Sequence, residues 1–390
     1  MNKIDNQNTY NKSRFKIFFS NLIPSLLALF TKRNNNLIIL NGFLNKSFSD
    51  NTKYLFLYLI NNTDKEIKYV INDDKIRNEL YNKYGDYFIE TNSLLGKKKA
   101  LSSYLWFTNA FEFPVGGLFL NFRRTVIHLT HGVPIKNSGL CEKRISILKK
   151  IYYKTIQTNI SFSLATSECF RTFIAKHIGI ANNKVIINGL PRFDTLYKNR
   201  YESINKSGKD ILILYAPTWR QYAAVQLFPF VDFDFYILEK FLKDNNIIIY
   251  LRMHPDYEAS IDEKFINSKQ FKIFSGTDYP DINNYLANFD MLITDYSSIF
   301  YDFMIFDRPM FFFNYDYDEY EKNIGFAVNY EEYAVGYKPK TQCEFLSDVM
   351  DALANDTFKT KRKLIKELTI GKCNNNCQSL IQQLKELKIY

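Results

Sequence analysis

Four short stretches of this chain combine residue types that handle anions and protons. The first is Thr294-Asp295-Tyr296-Ser297-Ser298, which follows the run Asp290-Met291-Leu292-Ile293 and leads into Ile299, Phe300, Phe303, Met304 and Phe306 at helical spacing. A strand that passes to a helix through Ser297 and Ser298 presents backbone N–H groups, two hydroxyls and the positive end of a helix dipole at one point. That suits an anion, above all a phosphate; a plain helix cap would use the same residues. The second stretch is His131-Gly132-Val133-Pro134, at the tip of an apolar run from Thr125 to Thr130. An imidazole projecting from such a turn can carry a proton near neutral pH, or can rest on a backbone carbonyl. The third is Arg252-Met253-His254-Pro255, where Arg252 and His254, two residues apart, fall on one side of a strand end. The fourth is Gly189-Leu190-Pro191-Arg192-Phe193-Asp194, which places a cation beside a strand end or forms a surface turn. His128, inside its strand, and His177, within a helical run from Phe170 to Ile178, read as structural.

Positioning these groups requires a scaffold of alternating strands and helices, and the chain carries that pattern. Strand candidates are Leu37–Asn41, Ile67–Ile71, Tyr87–Thr91, Tyr104–Asn109, Thr125–Thr130, Phe162–Thr166 and Lys184–Asn188. Then come Ile211–Tyr215, Ile247–Leu251, Phe271–Phe274, the run before Thr294, and Met310–Phe313. Helical runs lie between most of them, opened by Asp50-Asn51 and by Asp73-Asp74, with others expected at Asp281–Ala287, Glu344–Ala354, Asp356–Leu368 and Asn376–Leu387. Tyr315–Tyr320 reads as an acidic, aromatic loop. Such alternation predicts an α/β fold of parallel sheets covered by helices, with ligands beyond the carboxyl ends of the strands. Tyr197–Lys209 is polar and aperiodic, and is the expected linker. The division is therefore a basic, apolar segment 1–35, a first domain 36–200, a second 210–375, and a closing helix 376–390.

The chain has 390 residues, enough for two cores, and is 46% apolar and 17% aromatic, which excludes a disordered chain. A net charge of +10 favours anionic partners: nucleic acid, an acidic membrane surface or phosphorylated substrates. Nucleic acid is not expected, because Lys and Arg are spread along the chain and no nucleic-acid motif occurs. The five cysteines are odd in number; Cys373 and Cys377 lack a second ligand pair, so no zinc site is expected and the thiols read as reduced and cytoplasmic. Asp232-Phe233-Asp234 is a D-x-D, a pattern that can hold a metal; directly ahead of a helical run it reads as a cap. Residues 17–30 are apolar between Lys12, Arg14, Lys16 and Lys32, Arg33. They are too few to span a bilayer. They either dock on the core as a helix broken at Pro24 or rest on anionic lipid.

Taken in order, His131-Gly-Val-Pro-x-Lys136, Gly189-Leu-Pro-Arg-Phe-Asp194, Tyr215-Ala-Pro-Thr-Trp-Arg220, Arg252-Met-His-Pro255 and Thr294-Asp-Tyr-Ser-Ser298 with Asp302 resemble the CDP-glycerol glycerophosphotransferase family of teichoic acid and capsule polymer synthesis. The resemblance covers residues 36–370. It implies a GT-B-like fold of two Rossmann-like domains facing a cleft, peripheral association with the cytoplasmic face of the membrane, and one activity. That activity is attack of an acceptor hydroxyl on the phosphorus carrying the glycerol, with CMP leaving. By resemblance His131 is the general base, and His254, Arg252, Ser297 and Ser298 hold the donor pyrophosphate. Asp295, Arg220 and Arg192 join the donor-phosphate set, and Asp302 orients a neighbour or the glycerol. No cofactor is implied and no metal motif accompanies these residues. The sequence departs from the family at Thr130, where Trp is common, and at Ala334-Val335-Gly336, where Pro-Gly is common. Donor and acceptor identity stay open: CDP-ribitol, or a sugar nucleotide in a GT-B glycosyltransferase, would use the same fold.

Overall fold

A computed structural model describes residues 15–197, 203–204, 208–220, 224–253, 258, 261–371 and 374–390. The chain divides into two compact units, Met1–Val133 with Ser138–Asp194 and Gly371–Tyr390, and Pro134–Asn137 with Thr195–Ile370.

The first unit holds seven strands: β1 (Asn34–Asn41), β2 (Glu66–Val70), β3 (Phe88–Ile89), β4 (Ser103–Thr108), β5 (Thr125–His128), β6 (Phe162–Ala165) and β7 (Val185–Ile187). Their order is β3-β2-β1-β4-β5-β6-β7 and every pairing is parallel. The sequence explains the arrangement: Leu37, Ile38, Ile39 and Leu40 are all fully buried, as expected for a strand covered on both faces. Strand order reverses between β1 and β4, and that switch point opens a crevice at the carboxyl ends of the strands. The last helix, Asn376–Glu386, returns to this unit, burying Leu380, Ile381 and Leu384 in the core with Leu55 and Ile186. Asp194, the final residue of the Gly-Leu-Pro-Arg-Phe-Asp stretch, accepts hydrogen bonds from Asn376 N at 2.6 Å and Cys377 N at 2.9 Å, which fixes that helix's start.

The second unit repeats the plan with β8 (Ile211–Tyr215), β9 (Ile247–Leu251), β10 (Phe271–Ile273), β11 (Met291–Thr294) and β12 (Met310–Phe312), ordered β10-β9-β8-β11-β12 and all parallel. Its switch point lies between β8 and β11. All twelve expected strands are present. The D-x-D is a pair of caps: Asp234 accepts from Tyr236 N and Ile237 N, and Asp232 from Gln342 N and Cys343 N at the start of helix Gln342–Ala354. Two expectations fail. Asp281–Ala287 is two short 3₁₀ turns rather than a helix, because Asp281 takes Asn283 N and the Asn288 amide bonds Tyr285 O, local bonds that compete with the helical ladder. Tyr315–Tyr320 is not all loop: it turns helical at Tyr317, and that helix runs to Asn323.

The segment before β1 forms short helical pieces broken at Asn21 and Leu26. It docks on the first unit through Phe18, Ser25 and Ala28, all buried. The contact is backbone-close. A Cβ on Gly116 would meet Ile17 O at 2.4 Å, and Gly117 at φ +110° sits against Ser25, whose hydroxyl accepts from Leu118 N.

Candidate active site

His131 follows β5, and helix Asp50–Asn62 follows β1. The two loops meet at the carboxyl edge of the sheet. His131 Nδ1 lies 2.5 Å from Asp50 Oδ2. Arg192 Nη1 donates to Asp50 Oδ1 at 2.7 Å and to His131 O at 2.6 Å. Arg192 and Asp50 are buried, whereas the imidazole side chain is 86% exposed. Burial pushes the Asp50 carboxyl up, and the charges of His131 and Arg192 outweigh it, leaving it lowered to about 2. Asp50 is therefore a carboxylate that only accepts. It fixes the proton of a neutral imidazole on Nδ1 and leaves Nε2 as the basic nitrogen.

Strain supports the pair. Thr130 (φ +60°) and Asp50 (φ +61°) both occupy the left-handed region, which a β-branched residue adopts only when held there. Asn51 supplies the hold for Thr130, donating from Nδ2 to Thr130 O at 2.9 Å, while its Oδ1 accepts from Arg192 N at 3.3 Å. Thr130 is one of the positions where the sequence departs from the family.

Asp50 is the residue that sequence reasoning missed: it read as a helix cap. Asp50 does accept from Asn51 N at the helix start, at 2.8 Å, while Ser49 makes no cap bond; beyond that, its carboxylate meets His131 and Arg192. Arg192 was expected to touch phosphate; it is buried and bonded to Asp50 and to the His131 carbonyl. His128 is buried beside Ser163 and against Phe111; burial, with His177 and His131 nearby, lowers it to about 3, so it stays neutral. His177 lies 2.8 Å from the Ser138 carbonyl. Both are structural, as read.

In the second unit, Arg220 after β8 and Asp295 after β11 tie the two sides of the switch point together. The guanidinium reaches Asp295 Oδ2 at 2.8 Å, Asp316 through Nε at 2.6 Å and Nη2 at 2.9 Å, and Thr218 O at 2.8 Å. Asp295 also accepts from Thr218 N and Tyr296 N, and the Tyr296 hydroxyl lies 3.1 Å from Asp316 Oδ1. Burial works against the Arg220 charge, but its hydrogen bonds to Asp316 and the charge of Asp295 outweigh it, so the group is firmly cationic. Arg220 is thus not presented to a ligand phosphate, and Asp295 is its internal counter-charge. Both hold the Ser297–Ser298 loop. Neither serine caps a helix: Ser298 makes no side-chain cap bond, and Ser297 Oγ meets Ile299 N only at 3.5 Å. Both serines are half-buried. Asp302 is buried in the five-residue helix Ile299–Phe303. Arg252 Nη1 donates to the carbonyls of Phe274, Ser275 and Tyr279, bracing the loop after β10. Its Nε and Nη2 make no hydrogen bond among the described residues. His254 lies outside those residues. Among the described residues no cluster of three His, Cys, Asp or Glu side chains could hold a metal ion.

Residues 24–371 match the profile of CDP-glycerol:poly(glycerophosphate) glycerophosphotransferases. The chain belongs to this family. It is a transferase that moves glycerol phosphate from CDP-glycerol to an acceptor hydroxyl in wall-polymer synthesis, and CMP leaves. It is 28% identical over 375 residues to the teichoic acid glycerol-phosphate transferase of Staphylococcus aureus (strain NCTC 8325 / PS 47), covering 90% of this chain and 93% of that one. The ribitol-phosphate polymerase TarL of the same strain is 29% identical over 208 residues, 50% of this chain but 36% of the polymerase. Among solved structures, the wall teichoic acid polymerase TagF superposes with a TM-score of 0.76 at 20% identity, over 98% of each chain, which establishes the GT-B-like fold of this glycerophosphotransferase.

Proposed function

We propose that His131, held by Asp50 and Arg192, is the general base of the glycerophosphotransferase reaction and that a polyol or glycan hydroxyl is its acceptor. The acceptor oxygen attacks the phosphorus carrying the glycerol, its proton passes to His131 Nε2, and the bond to the CMP oxygen breaks. The observation that supports this reading is the Asp50–His131 contact, which assigns the imidazole proton to Nδ1. On the donor side, Ser297, Ser298, the outer nitrogens of Arg252, and His254 bind the pyrophosphate, with Asp302 orienting its helix or the glycerol. Transfer of this kind rests on positioning and on neutralising charge that grows on the phosphate oxygens. No cofactor is part of the proposal. CDP-glycerol is favoured over CDP-ribitol because the matching family profile is that of glycerophosphotransferases and a glycerol-phosphate transferase matches over 93% of its length. The test is CMP release by purified protein from CDP-glycerol, CDP-ribitol and a sugar nucleotide in parallel, with a membrane extract as acceptor source and His131→Ala as control. Release from CDP-glycerol, lost in the variant, is expected. Release of a nucleotide from the sugar donor alone would move the chain to glycosyl transfer.

A second proposal concerns location: the first unit rests on an anionic membrane surface at the cytoplasmic face. No described helix is long and apolar enough to cross a bilayer. Phe15, tilted, and Phe18, edge-on, pack against Tyr152 of helix Ile147–Gln157, with ring centroids 4.7 and 5.6 Å away. The joined elements leave Phe19, Ile23, Phe30, Ile147, Leu148 and Ile151 more than half exposed. Lys32, Arg33, Lys150 and Lys154 lie beside them in sequence. Apolar side chains rimmed by cations suit a helix lying in the plane of an acidic interface. Ile147→Ser/Leu148→Ser/Ile151→Ser should lose flotation with phosphatidylglycerol vesicles; unchanged flotation would refute this face.

A further inference from the structure

The first unit contains a polar cavity of about 280 Å³ that the roles above do not use. It lies beyond the carboxyl ends of β1, β2 and β3, walled by Asn45, Asn72, Thr91 and Asn92, and it abuts the Pro114–Gly116 loop after β4. The N-terminal segment closes it with Lys16, Ser20 and Asn21, and Lys97 enters from helix Leu94–Ser102.

The walls are built rather than incidental. Asn41 Nδ2 donates to Asn45 Oδ1 at 2.8 Å, and Asn45 Nδ2 to Phe113 O at 3.0 Å. Thr91 N donates to Asn72 Oδ1 at 2.7 Å, and Thr91 Oγ1 to Pro114 O at 2.7 Å. These bonds fix the rim, and the close packing of Gly116 on Ile17 fixes the roof. Asn21, whose Nδ2 donates to Ile17 O at 2.7 Å, adds a further polar residue to the lining. Neither Lys16 nor Lys97 pairs with a carboxylate among the described residues. Among the described residues, no Asp, Glu or aromatic side chain lines the cavity.

We infer that this cavity binds one phosphorylated polyol unit of the acceptor. Two ammonium groups with no carboxylate partner among the described residues suit an anion. The lack of an aromatic wall disfavours a nucleobase, and the volume suits one small unit. The loop from β1 carries Asn45 into the cavity wall and Asp50 onto His131. Five residues span at most about 18 Å, so the cavity and the base share one rim of the sheet. A chain seated by an inner phosphate would then offer its terminal hydroxyl toward His131.

This inference rests on the proposed acceptor reaction, and the experiment separates the two. A lipid-free glycerol-phosphate oligomer is titrated calorimetrically into the full chain and into Lys16→Ala/Lys97→Ala. The acceptor and donor KM values are then measured with the same oligomer and CDP-glycerol. The expected result is oligomer affinity reduced at least tenfold in the variant and acceptor KM raised by a similar factor, with donor KM within twofold. Variant affinity and acceptor KM equal to those of the parent would overturn the cavity assignment while leaving the transfer reaction intact. A rise in donor KM alone would overturn it too, by placing the glycerol phosphate of the donor there. Lysine-dependent oligomer binding in a protein that releases no CMP would support the cavity and refute the reaction. Thermal unfolding of both proteins confirms equal folding, expected because both lysines lie at the surface.

Discussion

Replacing Asp50 by Asn tests the site most directly, because the geometry dictates which way the new amide must face. Arg192 Nη1 lies 2.7 Å from Asp50 Oδ1 and can only donate. The amide oxygen of the variant must therefore turn toward Arg192, which turns its NH₂ toward His131 Nδ1. That nitrogen must then accept, so the imidazole proton moves to Nε2 and the base is blocked. The lost charge adds to this. A carboxylate and an imidazolium about 4 Å apart at an effective dielectric of about 20 attract by about 4 kcal/mol, and exposure of the ring reduces the effect to about 2–4 kcal/mol. Asp50→Asn should lower kcat for CMP release by a factor of about 30–1,000 and leave donor KM unchanged. Asn51 N, which also donates to Asp50 Oδ1 at 2.8 Å, makes the same demand on the amide, so Arg192→Leu alone would not turn it round. Single-turnover measurements on the folded variant decide it. Full activity in Asp50→Asn would refute the role of the pair.

Arg220→Met should destabilise the second unit by about 3–5 kcal/mol in urea titrations, because Asp295 and Asp316 would be left buried without their cation. The Asp50 carboxyl, lowered from 3.8 to about 2, contributes stability that is present above about pH 4 and lost as pH falls toward 2; the gap between parent and Asp50→Asn, about 2 kcal/mol at pH 7, should close over that window. His128, lowered to about 3 by burial, binds its proton in the unfolded chain first, so stability falls from about pH 6.5 down to 3; His128→Asn should flatten that part of the stability–pH curve. Gly117→Ala would set a Cβ 2.4 Å from the Ser25 hydroxyl at a φ of +110°, costing about 1–3 kcal/mol and exposing residues 26–35 to limited proteolysis.

The fold was legible because it follows from short-range facts. A parallel strand buried on both faces is a run of apolar residues whatever its neighbours are, so Leu37–Leu40 and Ile211–Tyr215 announce themselves. The strand tips were legible for the same reason, and with them His131, Ser297 and Ser298. What the sequence could not carry was pairing at long range. Asp50 looks like a cap because an acid at a helix start usually is one; its partners lie 81 and 142 positions away. Arg192 and Arg220 looked like phosphate ligands because a cation at a strand end has no visible local partner, yet both meet carboxylates from other loops. In each unit the charged residues nearest the switch point are consumed in holding the loops that carry the reactive groups. Beyond those ion pairs stand an exposed imidazole in one unit and, in the other, two half-buried hydroxyls and the guanidinium of Arg252. That division has a physical reason. A loop beyond a strand end has few apolar contacts to fix it, and a buried, charge-assisted bond supplies the rigidity that a proton-transferring nitrogen requires.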